Sequence, residues 1–151
     1  MRVAILVDTP NITRSVLNSR GRGFRPDLQK VLTDASKTGR VVHAKAHVND
    51  GIPRFHVVGL QKMGLSVVRS HAFDCDDSLV AWAVRVCLQV DCFVLCSGDK
   101  HFRSLVRLLK MAGRKVIVCA VRESCNKALK DLSDEYIEMP TIGGAQTPIA
   151  A

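Results

Sequence analysis

The sequence predicts an α/β domain: a mostly parallel central sheet of five or six strands with helices on both faces. Short apolar runs of strand length recur at residues 2–8, 41–48, 65–68, 92–97 and 115–121. Between them, apolar residues return every three or four positions, the period of a helix that buries one face. The two patterns alternate along the chain, which implies parallel strands joined by right-handed crossovers and a sheet covered on both sides.

Taken in order, Val3-Ala4-Ile5-Leu6-Val7 runs into Asp8 as a buried first strand. The glycines and charges of Asn18-Ser19-Arg20-Gly21-Arg22-Gly23 read as a mobile loop. Pro26 suits the first turn of a helix over residues 26–38, with Leu28, Val31, Leu32 and Ala35 on one face and Gly39 closing it. A strand at 41–48 leads to a helix near 52–63 that ends at Gly64, and residues 65–68 form the third strand. Asp76 and Asp77 open a helix to about residue 90, turning Leu79, Val80, Ala83, Cys87 and Val90 inward; acidic residues suit the first turn of a helix. A strand at 92–97, a helix at 101–112 ended by Gly113, a strand at 115–121, a helix at 125–132 and a short strand at 136–139 complete the domain. The domain is thus expected over residues 1–140, with 141–151 as a flexible tail.

With 151 residues, 47% apolar and 24% charged, the chain has the size and composition of one globular domain. No window approaches the roughly 18 apolar residues of a membrane span. Five apolar residues between Arg2 and Asp8 are too few for a signal peptide, so a cytoplasmic location is expected. The six cysteines (75, 87, 92, 96, 119 and 125) include no Cys-x-x-Cys pair and read as buried, reduced thiols. His43 and His47 share a strand face and read as structural. A net charge of +8, from 22 Lys and Arg against 14 Asp and Glu, points to a polyanionic partner such as nucleic acid.

Asp8 and Asp99 each stand where an apolar strand stops, and Asp76 and Asp77 begin the helix after the third strand. In an open parallel sheet, ligands bind beyond the carboxyl ends of the strands. If the strands carrying Asp8 and Asp99 are neighbours, these acids converge on one crevice. Carboxylates so grouped repel one another unless a cation lies between them, and oxygen donors suit Mg²⁺ or Mn²⁺. Asn11 is placed to orient a ligand, and Ser97 to hydrogen-bond a carboxylate or a phosphate oxygen.

Val7-Asp8-x-x-Asn11, Asp76-Asp77-x-Leu79 and Ser97-Gly98-Asp99-x-x-Phe102 resemble, in this order, the motifs of NYN domains in the PIN-like ribonuclease superfamily. Leu60 to Gly64, the segment Leu105 to Val118 and Ser124…Leu129…Asp134 extend the likeness over about residues 2–139. The resemblance implies a Rossmann-like (PIN-like) domain acting as a metal-dependent endoribonuclease. It makes Asp8, Asp77 and Asp99 the metal-binding acids, supports them with Asn11 and Asp76, and implies a Mg²⁺ or Mn²⁺ cofactor. The chain departs from the commonest family pattern at His101 and Ala83, where many relatives carry Asp. Fewer carboxylates imply looser metal binding. His101 then reads either as a phosphate contact or proton donor, or as a first-turn residue touching Asp99.

Lys100, Arg103, Arg107 and Lys110 recur three or four apart on the helix after Asp99, opposite Phe102, Leu105, Val106 and Leu109. With His101 they form a stripe beside the acidic pocket, and Arg14, Arg20, Arg22 and Arg25 surround its mouth from the first loop. Such groups contact phosphates and give affinity without sequence readout. RNA, single-stranded or structured, is the expected partner, and a homodimer is compatible with a domain of this size. Aromatics are only 5%, which argues against extensive base stacking; Trp82 reads as packing, with Phe24 and Phe55 as exceptions. The rival reading is a NYN-like RNA-binding or protein-interaction module that cuts poorly. A phosphatase of the haloacid-dehalogenase type needs a second acid two residues after the first, where Pro10 stands.

Overall fold

The first strand, β1 (Arg2–Asp8), is apolar from Val3 to Val7 and is buried along that whole length. A strand with no polar face must lie inside the sheet. In the computed structural model, which describes residues 1–71 and 75–143, β1 pairs in parallel on one side with β3 (Arg40–Asn49) and on the other with β5 (Cys92–Cys96). The chain first runs outward from β1 through α1 (Thr9–Arg20), β2 (Phe24–Pro26), α2 (Leu28–Thr38), β3, α3 (Arg54–Lys62) and β4 (Ser66–Ser70). It then returns through α4 (Asp76–Val86) to β5, and builds the other half with α5 (Arg103–Met111), β6 (Lys115–Ala120), α6 (Lys127–Leu132) and β7 (Glu135–Glu138). The six-stranded parallel sheet has the order β4-β3-β1-β5-β6-β7. Strand order therefore reverses between β1 and β5, and their carboxyl ends flank the crevice where such sheets bind ligands.

Alternation along the strands sorts two apolar layers. Val3, Ile5 and Val7 face one side with Ile12 and Val16 of α1, Val31 and Ala35 of α2 and Leu60 of α3. Ala4 and Leu6 face the other with Leu79 and Ala83 of α4, Leu105 and Leu109 of α5 and Leu129 of α6. Ala83, where many relatives of the resembled family carry Asp, is fully buried in this second layer. All six cysteines are free thiols, five of them buried and Cys125 half-buried. Among the described residues no helix is long and apolar enough to cross a membrane.

Three parts differ from the sequence expectation. Helix α1 begins directly after Asp8, with Pro10 in its first turn, and extends through Asn18–Arg20, which had read as loop. Only Ile12 and Val16 carry its apolar face, alongside buried Thr9 and Ser15, so its period was too sparse to detect. Pro26 ends β2 rather than starting a helix: α2 opens two residues later at Leu28, capped by Asp27, whose Oδ1 accepts the Lys30 N–H at 3.1 Å. Thr141–Gly143 form β8, antiparallel to β2, where a tail was expected; the rest of that tail, 144–151, lies outside the described residues. The Asp27 N–H bonds to Pro140 O at 2.7 Å and anchors this small second sheet.

At the opposite end of the sheet from the crevice, Asp91 fastens β1 to β5. Its carboxylate accepts the Arg2 backbone N–H at 2.7 Å and the guanidinium at 3.2 Å through Nε and Nη2. These hydrogen bonds to Arg2 hold the Asp91 carboxyl down to about 2, below its usual range. A lowered folded-state pKa contributes stability that is full above the unfolded value and fades as pH falls through the folded one. Wild-type melting temperature should fall between about pH 4 and pH 2, and the Asp91→Asn variant, with no charge to lose, should show a shallower fall in a calorimetric pH series.

Candidate metal centre at the carboxyl ends of β1 and β5

Asp8, the last residue of β1, is 3% exposed. A carboxylate so placed needs donors, and neighbouring elements supply them. Ser97 Oγ, just past β5, donates to Asp8 Oδ2 at 2.9 Å, and Cys75 Sγ, just before α4, donates to Oδ1 at 3.3 Å. Burial raises the Asp8 carboxyl pKa; Ser97, Cys75 and the nearby Asn11 N–H oppose that, while the charge of Asp99 adds to it. Burial, with Asp8 and Asp76 close by, pushes the Cys75 thiol well above its ordinary value, so it stays a protonated donor. His47, level with Asp8 on β3, is fully buried. Burial, helped by Lys45, lowers its pKa to about 4, leaving a neutral imidazole whose Nδ1 meets Ser78 Oγ at 3.2 Å.

Ser97 also accepts the Asp99 N–H at 3.2 Å, so one hydroxyl joins the buried acid to the half-buried one. Asn11 Oδ1 accepts the Gly98 N–H at 3.0 Å, and Gly98 O accepts the Asn126 N–H at 2.9 Å. The loop between β5 and α5 is thereby held from α1 and from α6. Gly98 is required by close approach, because a Cβ there would lie 2.8 Å from Cys125 Cα.

Beyond this frame, Asp76 at the start of α4, Asp99 and His101 each bring one donor atom within 4.8 Å of the others. His101 Nδ1 lies 3.2 Å from Asp76 Oδ2 and 3.1 Å from Asp99 Oδ1, while the His101 N–H donates to Asp99 Oδ1 at 2.9 Å. Two carboxylate oxygens and an imidazole nitrogen at this spacing fit a divalent cation that takes mixed oxygen and nitrogen donors. The structure brings Asp76 to Asp99, while Asp77 is exposed and outside this group. Adjacent helical residues point about 100° apart, so one of the pair turns inward. Asp8 stands behind the group, both oxygens engaged by Ser97 and Cys75.

A model of the NYN domain family matches residues 2–140. The chain belongs to this family. NYN domains are part of the PIN-like superfamily, whose nuclease fold this is. The NYN chain is 25% identical over 140 residues to an uncharacterized protein of Methanocaldococcus jannaschii, MJ0482, covering 91% of its own length and 55% of that protein. It therefore spans about half of that relative. It is also similar to the crystal structure of VPA0982, a protein of unknown function from Vibrio parahaemolyticus, with a TM-score of 0.82 and 25% identity over 92% of this chain and 93% of the other.

The basic residues of this NYN domain divide into those that face solvent and those held by a carboxylate partner. Lys100, Arg103 and Arg107 are exposed along the outer side of the helical segment after Asp99. Lys110 at its end is tied down, donating to Leu132 O at 2.8 Å and standing 3.5 Å from Asp134. Arg14, Arg22 and Arg25 are exposed. Arg20 is neutralised: it meets Glu123 at 2.6 Å and Glu138 at 3.3 Å, linking α1 to the far half of the sheet. Cys75, His47 and Ser78 were not singled out as site residues from the sequence; the one hint was Cys75 standing directly before the acidic pair.

The Gly98 contact gives a test of the frame. Gly98→Ala should lose about 1–3 kcal/mol through overpacking, a melting temperature drop of roughly 3–10 °C in a thermal scan.

Proposed function

We propose that this NYN domain is a metal-dependent endoribonuclease that hydrolyses RNA phosphodiester bonds at the ends of β1 and β5. The observation that carries the reading is the meeting of Asp76, Asp99 and His101 at the crevice of a body whose net charge is +8. Family membership supports it. These three residues would hold Mg²⁺ or Mn²⁺, with Asp77 at the mouth adding negative charge. A bound cation would activate water for attack on phosphorus and offset charge on the leaving oxygen. Asp8, buried behind them, fixes Ser97 and thereby the backbone of Asp99, while its charge favours a cation in front of it. Asn11 holds the Gly98 amide and so the loop that delivers Asp99. Lys100, Arg103 and Arg107 attract the phosphate backbone, with Arg14, Arg22 and Arg25 on the other side of the crevice.

The second reading, an RNA-binding module that cuts poorly, draws on one observation: His101 Nδ1 lies within 3.2 Å of both Asp76 and Asp99, so the imidazole itself partners the carboxylates where a metal would sit. Cleavage of labelled single-stranded RNA with Mn²⁺, Mg²⁺ or chelator separates the two. Wild type is expected to cut with Mn²⁺, more slowly with Mg²⁺ because one donor is imidazole, and not at all with chelator. Asp99→Asn should lower the rate by a factor on the order of 100 or more while RNA affinity persists. His101→Asp should shift the preference toward Mg²⁺. Intact RNA with wild type and either metal, together with cutting by His101→Asp, would establish the binding module instead.

A further inference from the structure

Helices α1 and α3 cover the same face of the sheet, and two clefts flank the seam between them. One, of about 310 Å³, has Val48, Ile52, Pro53 and Leu17 as apolar wall and Arg14 at its rim. The other, of about 360 Å³, is walled by Leu28, Met63, Ile142 and Phe55, with Arg25 and Asp27 at its edge. Thr9, Thr13 and His56 line both. Thr9 directly follows Asp8, so the seam begins at the back of the proposed catalytic crevice.

Three features set this seam apart from ordinary helix packing. Phe55 is 79% exposed, its ring offered to solvent at the first turn of α3. The Thr9 hydroxyl, in a residue only 3% exposed, has no hydrogen-bond partner among the described residues. The Arg14, Arg25 and Arg54 side chains are exposed and have no ion pair or side-chain hydrogen bond among the described residues, whereas Arg20 on the same helix as Arg14 is paired twice. An apolar groove with a free aromatic and cationic rims complements a flexible polyanion whose bases have flat apolar faces. Among the described residues Asp27 is the one acid lining the groove; its carboxylate is already engaged by the Lys30 N–H as the cap of α2.

We propose that the groove between α1 and α3 seats unpaired bases of a single-stranded RNA, with Phe55 as the stacking platform and Arg14, Arg25 and Arg54 on the adjoining phosphates. This assignment rests on the ribonuclease reading for the identity of the polymer, and adds where the strand lies. The groove is on one face of the sheet and the Lys100–Arg107 stripe on the other, with Asp99 between them at the carboxyl edge. The strand accordingly crosses that edge, bases first held at α1–α3 and backbone then passing the carboxylates to α5. A continuous duplex, whose bases are stacked on one another, has none to offer the groove.

The test uses the whole chain in chelator, so that binding is read without cleavage. Twelve-nucleotide single-stranded RNAs, each with one 2-aminopurine, report by fluorescence which base leaves its stack. Wild type should give a strong change at one or two adjacent positions. Phe55→Ala should weaken single-strand affinity about tenfold or more and abolish that change, while leaving weak duplex binding as it is. Leu17→Glu, at a position 47% exposed, should do the same from the other cleft without unfolding the domain. Should both variants bind single strands like wild type while Arg103→Gln with Arg107→Gln does not, the groove assignment fails and the ribonuclease reading stands. No RNA binding by wild type in any form, in chelator or with Ca²⁺ added, removes both. A wild-type dimer in sedimentation that Phe55→Ala renders monomeric would overturn the assignment in favour of a self-association surface.

Discussion

Asp8 is an acid in a place that disfavours charge. At the end of the central strand, with 3% of its surface exposed, an unpartnered carboxylate would cost several kcal/mol. The hydroxyl of Ser97 and the thiol of Cys75 meet that requirement, and each arrives from a different segment. Satisfying one buried charge therefore fixes the turn after β5 against the start of α4. Because Ser97 simultaneously accepts the Asp99 amide, the position of the half-buried acid depends on the needs of the buried one. The half-exposed group of Asp76, Asp99 and His101 thus rests on a frame with no freedom of its own. Rigid support of this kind is what a metal centre needs if its donors are to hold their spacing when substrate arrives.

The electrostatic arrangement is layered. Acids occupy the crevice and cations occupy the slopes around it, so an RNA bound as proposed would meet repulsion at the centre unless a divalent ion were there first. Metal and polymer are then expected to bind with mutual support. Arg20 is the exception among the slope residues: its two glutamate partners turn a would-be phosphate contact into a clasp between α1 and the β6–β7 half.

Much of this was legible before any coordinates. Continuous apolar runs announced β1, β5 and β6, and placing Asp8 and Asp99 at strand ends followed from where those runs stop. Helix α1 was not legible, since only two of its twelve residues are buried and apolar, too few to give a period, and with it went the groove that α1 makes with α3. The strands of the small β2–β8 sheet are three residues each, below the length at which alternation is visible. Choosing between Asp76 and Asp77 needed the rotation of α4 about its axis, which depends on how Leu79 and Ala83 pack rather than on the acids themselves. Asp8's dependence on Cys75 was hidden for a related reason: the two are 67 residues apart and meet only through the crossover.

The carboxyl-edge crossing of the proposed strand also makes the two ends of the domain unequal as handles. Met1 sits against Gly39 and Arg40 at the far end of β1, its carbonyl accepting the Arg40 N–H at 2.9 Å. Seven strand residues separate it from the crevice, roughly 20 Å at strand rise. A tag, tether or fused protein joined there leaves the crevice open. Gly143, by contrast, ends β8 packed on Gly23 and beside Ile142, a wall of the α1–α3 groove. A rigid body joined to Gly143 in place of residues 144–151 would crowd the groove mouth, so immobilisation through Met1 and through Gly143 gives surfaces with different access to long polymers.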